Sequence, residues 1–257
     1  MLSLRFQRYV ASRIRHKFPP CKRGKPQKLI VEHALDAIFK LIRTGMQWRE
    51  ITSKCNSSYS TLNRQFKKWY SADVFQDAYT QLLKQYLRSR SHQPSYYCID
   101  STFVKNLYGT EGLGRNPTDR GRKAMKLSVL LDDNGVIHSL IGSPANIPDV
   151  VLMGNTIKAT LAPLCRHVPL LADKGYDSRS NRSICLKSGL LDRISRKRCK
   201  TGRRMNGKRS IVERCFSWID KHRRLLLQYE RTPAAHIAMV HFCIGNLLVQ
   251  RFQFDIN

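Results

Sequence analysis

Acidic residues are the scarce class in this chain: 18 Asp and Glu stand against 46 Lys and Arg, a formal net charge of +28 over 257 residues. Long apolar runs are missing as well. No stretch reads as the ~18 uncharged residues a membrane span would need, and no membrane is expected as a partner. The opening Met1-Leu-Ser-Leu-Arg5 is broken by charge too early for a secretory segment. Among eight cysteines there is no Cys-x-x-Cys pair, so free thiols in a reducing compartment are expected rather than a disulfide or zinc framework. His236, His241 and Cys243 lie close in sequence, but on an apolar helical pattern that reads as packing. Disorder is excluded by the 42% hydrophobic content.

What is present is positive charge spread along the whole length. Residues 1–95 hold 19 basic and 5 acidic side chains, and the remainder holds 27 and 13. A field of one sign running through both halves favours nucleic acid over an anionic lipid surface.

The first 90 residues read as helices. Ile30, Ala34, Leu35, Ile38, Leu41 and Ile42 recur at helical spacing, with Gly45 as a C-terminal stop. Ser57 and Ser58 precede a second stripe of Tyr59, Leu62, Phe66 and Trp69, with Arg64, Lys67 and Lys68 on or beside its polar face. Val74 to Tyr86 form a third. Such helices fit either a helix-turn-helix-like DNA-binding domain, residues 1–90, or a small bundle whose lysines are merely solvated. The polar, proline-bearing segment Ser89–Ser95 marks a boundary, and residues 95–257 read as a second domain.

Beyond it the periodicity changes. Strands are expected over Tyr96–Val104, Lys126–Leu131, Val136–Ile141, His167–Ala172 and Leu190–Ser195. Asp132-Asp-Asn-Gly135 is a hairpin turn between the second and third. Helices are expected near Asp149–Leu161, Ser178–Lys187, 208–228 and 233–251. This order fits a mixed α/β sheet of the ribonuclease H-like kind, in which the first and fourth strands are neighbours.

Three acids stand out against the basic background. Asp100 closes Tyr-Tyr-Cys-Ile, Asp173 closes Pro-Leu-Leu-Ala, and Glu213 follows Arg209-Ser-Ile-Val on a helix. Each alone has a plain reading as a turn residue, a cap or a surface ion pair. Together, at the ends of strands this fold places side by side, they read as a carboxylate site for a hard cation acting on a phosphodiester. Asp100 would bridge two ions, and Asp173 and Glu213 would each complete one shell. Asp149 by itself reads as a helix cap.

The segments that carry these acids resemble the DDE transposases of bacterial insertion sequences. The similar stretches are Ile99-Asp100-Ser-Thr102, Arg120-Gly-Arg-Lys123 with Lys126, Ala145-Asn-Ile-Pro-Asp149, Ala172-Asp-Lys-Gly-Tyr-Asp177, Arg209-Ser-Ile-Val-Glu213-Arg214, Arg223-Arg-Leu225 and Tyr229-Glu-Arg231. Arg43-Thr-Gly-Met-Gln-Trp-Arg49 resembles the helical front of that family. Asn206 and Asp220 depart from it, where sister groups carry tyrosine and lysine. The resemblance implies a transposase that binds the terminal inverted repeats of its element, and it sets against the cap reading of Asp149 an equal one as a neighbour of the carboxylate site. It further implies cleavage and strand transfer with two Mg²⁺ ions (Mn²⁺ as a substitute), double-stranded DNA as partner at element ends and target, a homo-oligomer in the synaptic complex, and a bacterial cytoplasm with nucleoid association. Two rivals stay open: a domesticated copy that binds DNA without cutting it, and a nuclease of similar fold.

Nine Lys or Arg and no acid lie between Arg193 and Arg209, in a glycine-bearing run that leads into the Glu213 helix. It reads as a phosphate-contacting loop or as a solvated run. The expected DNA contacts are therefore Arg64, Lys67, Lys68, Lys126, Lys174, Arg203, Arg204 and Arg209.

Overall fold

A computed structural model of the chain describes residues 1–19, 29–51, 57–197 and 206–252, with the side chains of 206–209 excepted. In chain order the elements are α1 (Leu4–Lys17), α2 (Val31–Thr44), α3 (Tyr59–Ser71), α4 (Val74–Ser89), β1 (Tyr97–Asn106), β2 (Gly114–Arg115), β3 (Lys123–Asp132) and β4 (Ile137–Pro144). Then come α5 (Asp149–Lys158), β5 (Pro169–Ala172), α6 (Arg179–Lys187), β6 (Leu191–Ile194), α7 (Asn206–Asp220), α8 (Arg223–Leu226), β7 (Leu227–Gln228) and α9 (Pro233–Phe252).

Two compact units result. The helical unit comprises Met1–Arg88, Lys221–Leu226 and Ala234–Asn257. Its local chemistry is as the sequence suggests. Gly45 ends α2 at φ 74°, and an added Cβ there would lie 3.1 Å from the Cβ of Arg223, so both backbone and space call for glycine. Ser58 caps α3 by accepting the amide of Thr61 at 3.3 Å. Phe6, Phe39 and Phe75 pack around Phe242 of α9, with ring centroids 5.1–5.9 Å apart.

Two expectations change in this unit. The first helix, α1, has no counterpart among the apolar stripes read from the sequence, because its buried face (Phe6, Val10, Ala11, Ile14) is narrow and interrupted by arginines. The C-terminal helix α9 was grouped with residues 95–257, whereas from Ala234 onward it clusters with the helical unit. Contrary to the sequence reading, α9 is long and apolar enough to cross a membrane. Most of it is buried, including Met239, Val240, Phe242 and Cys243, so it is a core helix.

The sheet unit comprises Ser89–Asp220 and Leu227–Pro233. Its five principal strands lie in the order β4-β3-β1-β5-β6, with β3 antiparallel to β1 and to β4, and β5 parallel to β1 and to β6. This is the ribonuclease H-like order, with first and fourth principal strands adjacent. Alternation along β1 divides its side chains: Tyr97 and Ile99 join Leu130, Met153, Ile157, Leu170 and Tyr176 in one apolar cluster, under α5 and α6. No described residue of α7 belongs to that cluster, yet α7 packs on β1, which places it on the other face. The expected helix 208–228 is broken: α7 ends at Asp220, and Leu227–Gln228 leave helical geometry to pair with Lys105–Asn106 of β1.

Candidate active site

β1 and β5 pair only at Tyr97↔Leu170 and Cys98↔Leu171. Asp100 and Asp173 each lie two residues beyond the last pair, so the register sets Asp100, inside β1, beside Asp173, which directly follows the end of β5, on the face shared by Cys98 and Leu171. Adjacent strands run about 4.8 Å apart, so the two carboxylates share one locality. Along the same edge of β1, β7 joins only at Lys105 and Asn106. Between these two partners the β1 edge from Ile99 to Val104 carries no described strand, and the sheet opens beside Asp100. That opening at carboxyl strand ends is where ligands enter open α/β sheets.

Both acids are half-buried. The Ser101 amide donates to Asp100 Oδ1 at 2.8 Å, and the Lys174 amide donates to Asp173 Oδ1 at 2.5 Å. Glu213 lies on α7, on the β1 face that Asp100 shares, between buried Val212 and half-buried Cys215. Its own side chain is exposed, and no three potential metal-ligating side chains converge among the described residues. The structure thus brings Asp100 and Asp173 together and leaves Glu213 near the sheet but outward.

Asp149 lies on the α5 face of β1, opposite Asp100, and is not the cap residue of its helix. It is the first residue of α5, after Pro148, and its Oδ1 accepts from Ser101 Oγ at 2.6 Å and from Lys126 Nζ at 2.9 Å. Lys126 was expected on DNA and is instead buried. Its ammonium also donates to the Ile147 carbonyl at 2.8 Å and lies 4.9 Å from the centre of the Phe103 ring. The reason is strand parity: Lys126 pairs with Phe103 and Ser128 with Ser101, so all four point to the α5 face. Tyr176 lies beneath, its hydroxyl buried near Ser101 and Ser128 without a hydrogen bond of good geometry. Burial, then the charges of Asp149 and Asp100, push that phenol far above its ordinary pKa, so it stays neutral. Sequence reasoning missed Ser101 and Tyr176 as site components, although both sit inside motifs it quoted. Gly114 is also fixed by contact: a Cβ there would overlap the side chain of Asn146.

The expected phosphate contacts divide. Lys174 is exposed beside Asp173. Arg64 and Lys67 are exposed on α3, and Lys68 is exposed with its ammonium 4.4 Å from the centre of the Phe18 ring. Arg203 and Arg204 lie outside the described residues, as does the side chain of Arg209.

Residues 91–247 match the family model described as "Transposase DDE domain". The chain belongs to the DDE transposase family. Residues 12–79 match a second model, described as "Putative transposase of IS4/5 family". A relative from Burkholderia cepacia, "Putative transposase for insertion sequence element IS402", is 32% identical over 151 residues, 56% of this chain and 70% of the relative. Solved transposases are more distant. The Mos1 strand transfer complex is 12% identical with a TM-score of 0.28, and the match covers 70% of this chain and 63% of that chain. The piggyBac synaptic complex with hairpin DNA is 11% identical with a TM-score of 0.44, over 98% of this chain and 74% of that one. At such scores neither adds to what the strand order already gives.

DDE transposases use divalent metal ions. The donors here fit such a cation: Asp100 and Asp173 offer hard carboxylate oxygens on one face.

Proposed function

We propose that this DDE transposase binds the terminal inverted repeats of its own element, cleaves the strand at the element's end and joins the freed 3′-hydroxyl to target DNA. The observation that supports the reading is the β1–β5 register, in which Asp100 and Asp173 each follow the last pair by two residues, beside a stretch of the β1 edge without a described strand. Asp100, Asp173 and Glu213 would hold the metal ions, two of Mg²⁺ in the fullest form. Glu213 would join them from α7. A bound divalent cation would polarise the phosphoryl oxygen and lower the pKa of an attacking water.

The protein's own contribution is placement and charge. Exposed Lys174 is in position to contact a phosphate of the strand that reaches Asp173. The exposed bases of α3, Arg64 and Lys67, serve the helical unit as phosphate contacts that orient the element's end. Two copies of the chain would hold two ends in a synaptic complex.

The test uses the full chain, a labelled DNA end carrying the flanking inverted repeat, and Mg²⁺. Nicking with joining supports transposition; nicking alone supports a nuclease, and binding alone a domesticated copy. Asp100→Asn, Asp173→Asn and Glu213→Gln should each lower cleavage by about a thousandfold or more while repeat binding persists. A variant that cuts at the wild-type rate removes its residue from the site.

A further inference from the structure

We propose that Asp149 and Lys126 are a positioning pair that sets Asp100 from the opposite side of β1. The inference rests on the metal-site reading above and adds a residue pair to it.

Alternation decides the geometry. Asp100 points to one face of β1 and Ser101 to the other, where α5 lies. Asp149 therefore cannot simply join the Asp100 and Asp173 carboxylates as one more ligand. It reaches the strand from beneath, gripping Ser101 Oγ at 2.6 Å, while the Ser101 amide holds Asp100 Oδ1 at 2.8 Å. One residue is thus clamped on its side chain by Asp149 and clamps Asp100 with its backbone. The second carboxylate oxygen of Asp149 has no hydrogen bond among the described residues. It faces Gly175, where an added Cβ would lie 3.8 Å away, in the turn that follows Asp173. A single carboxylate bonds the segment of Asp100 and lies beside the turn that follows Asp173.

Packing alone does not account for the pair. The side chain of Lys126 is 6% exposed and that of Asp149 34%. Burying an ammonium is costly, and an apolar pair of similar volume would serve stability as well or better. An acid at the start of a helix would ordinarily satisfy the helix's own amides. Asp149 makes its hydrogen bonds to β1 and β3 instead. Groups that orient metal ligands from behind typically change metal affinity or activity 10- to 100-fold when removed.

The experiment follows the melting temperature of the full chain as Mn²⁺ is titrated, alongside cleavage of the labelled repeat. Binding of a metal to the folded state raises the melting temperature, so the half-maximal Mn²⁺ concentration is read without turnover. Asp149→Asn and Ser101→Ala should raise that concentration about 10- to 100-fold and slow cleavage by a similar factor. The double variant Lys126→Met with Asp149→Leu should recover the metal-free melting temperature and keep the weak Mn²⁺ response. If the double variant recovers both Mn²⁺ response and cleavage, the pair is structural and the proposal is wrong. If it does not fold, Ser101→Ala decides, and a wild-type Mn²⁺ midpoint for it overturns the proposal. Asp100→Asn separates the two readings: should it respond to Mn²⁺ as the wild type does, the metal site itself fails and this inference falls with it.

Discussion

The helical unit and the sheet unit each hold a buried titratable set, and these two sets are accommodated by opposite means. In the helical unit His236 is fully buried with neither ring nitrogen hydrogen-bonded among the described residues, and His241 Nε2 is likewise unbonded. Burial lowers both to a pKa of about 4, with the Arg224 guanidinium adding to the effect at His236. They are carried as neutral rings in an apolar helix, which is why the His236, His241 and Cys243 cluster reads as packing. In the sheet unit, where Ser139 Oγ and the Tyr176 hydroxyl are likewise unbonded among the described residues, two buried sets are charged and matched. Asp132, wholly buried at the hairpin, accepts from Arg90 at 3.0 Å, from the amides of Asn134 and Val136 at 3.0 Å, and meets His138 at 3.3 Å. Lys126 and Asp149 are the second matched set. A buried neutral group marks tolerance; a buried charge with fitted partners marks a position the fold is specifying.

The comparison breaks most visibly at Asp132. Asp132→Ala leaves Arg90, whose side chain is 13% exposed, without one of its carboxylates and should cost about 3–5 kcal/mol in urea unfolding. A loss under about 1 kcal/mol would show that the matched charges are not what holds the hairpin. By contrast, His236→Leu should be neutral or stabilising.

Acid sharpens the contrast next. The folded pKa of His236 and His241 lies below the unfolded value near 6.5. The unfolded chain therefore takes up protons first, and stability is fully present above about pH 6.5 and lost as pH falls toward about 4. Between pH 7 and pH 5 each histidine should cost roughly 2 kcal/mol. Melting curves of His241→Leu should show that slope reduced by about half; an unchanged slope would mean the histidines are not its source.

The smallest effect belongs to the surface. Arg64→Ala and Lys67→Ala should leave the melting temperature within about a degree, because exposed charges contribute little to folding. If α3 contacts DNA, each should reduce the slope of log binding constant against log salt by about 1, uniformly across sequences. No change in slope would assign these bases to plain solvation.

Legibility followed the range of the physics. Apolar alternation and the Asp-Asp-Asn-Gly turn are local signals, and the strands they predict appear within a few residues, as β1, β3 and β4. An acid closing an apolar strand is equally local, so Asp100 and Asp173 were visible. The two-residue strand β7 has no period to detect, and the helix break before it depends on a free edge of β1. Whether Lys126 meets DNA or Asp149 turns on the parity of one strand against another. No single segment contains that information.

By itself the sequence determined most element types and the family and singled out three candidate acids, because periodicity, turn chemistry and scarcity of negative charge are properties read along the chain. Only the tertiary structure decided which unit α9 packs in, that the sheet opens beside Asp100, and that Lys126 turns inward to Asp149. Those outcomes are set by register and by competition for buried surface, and both arise only when distant segments meet.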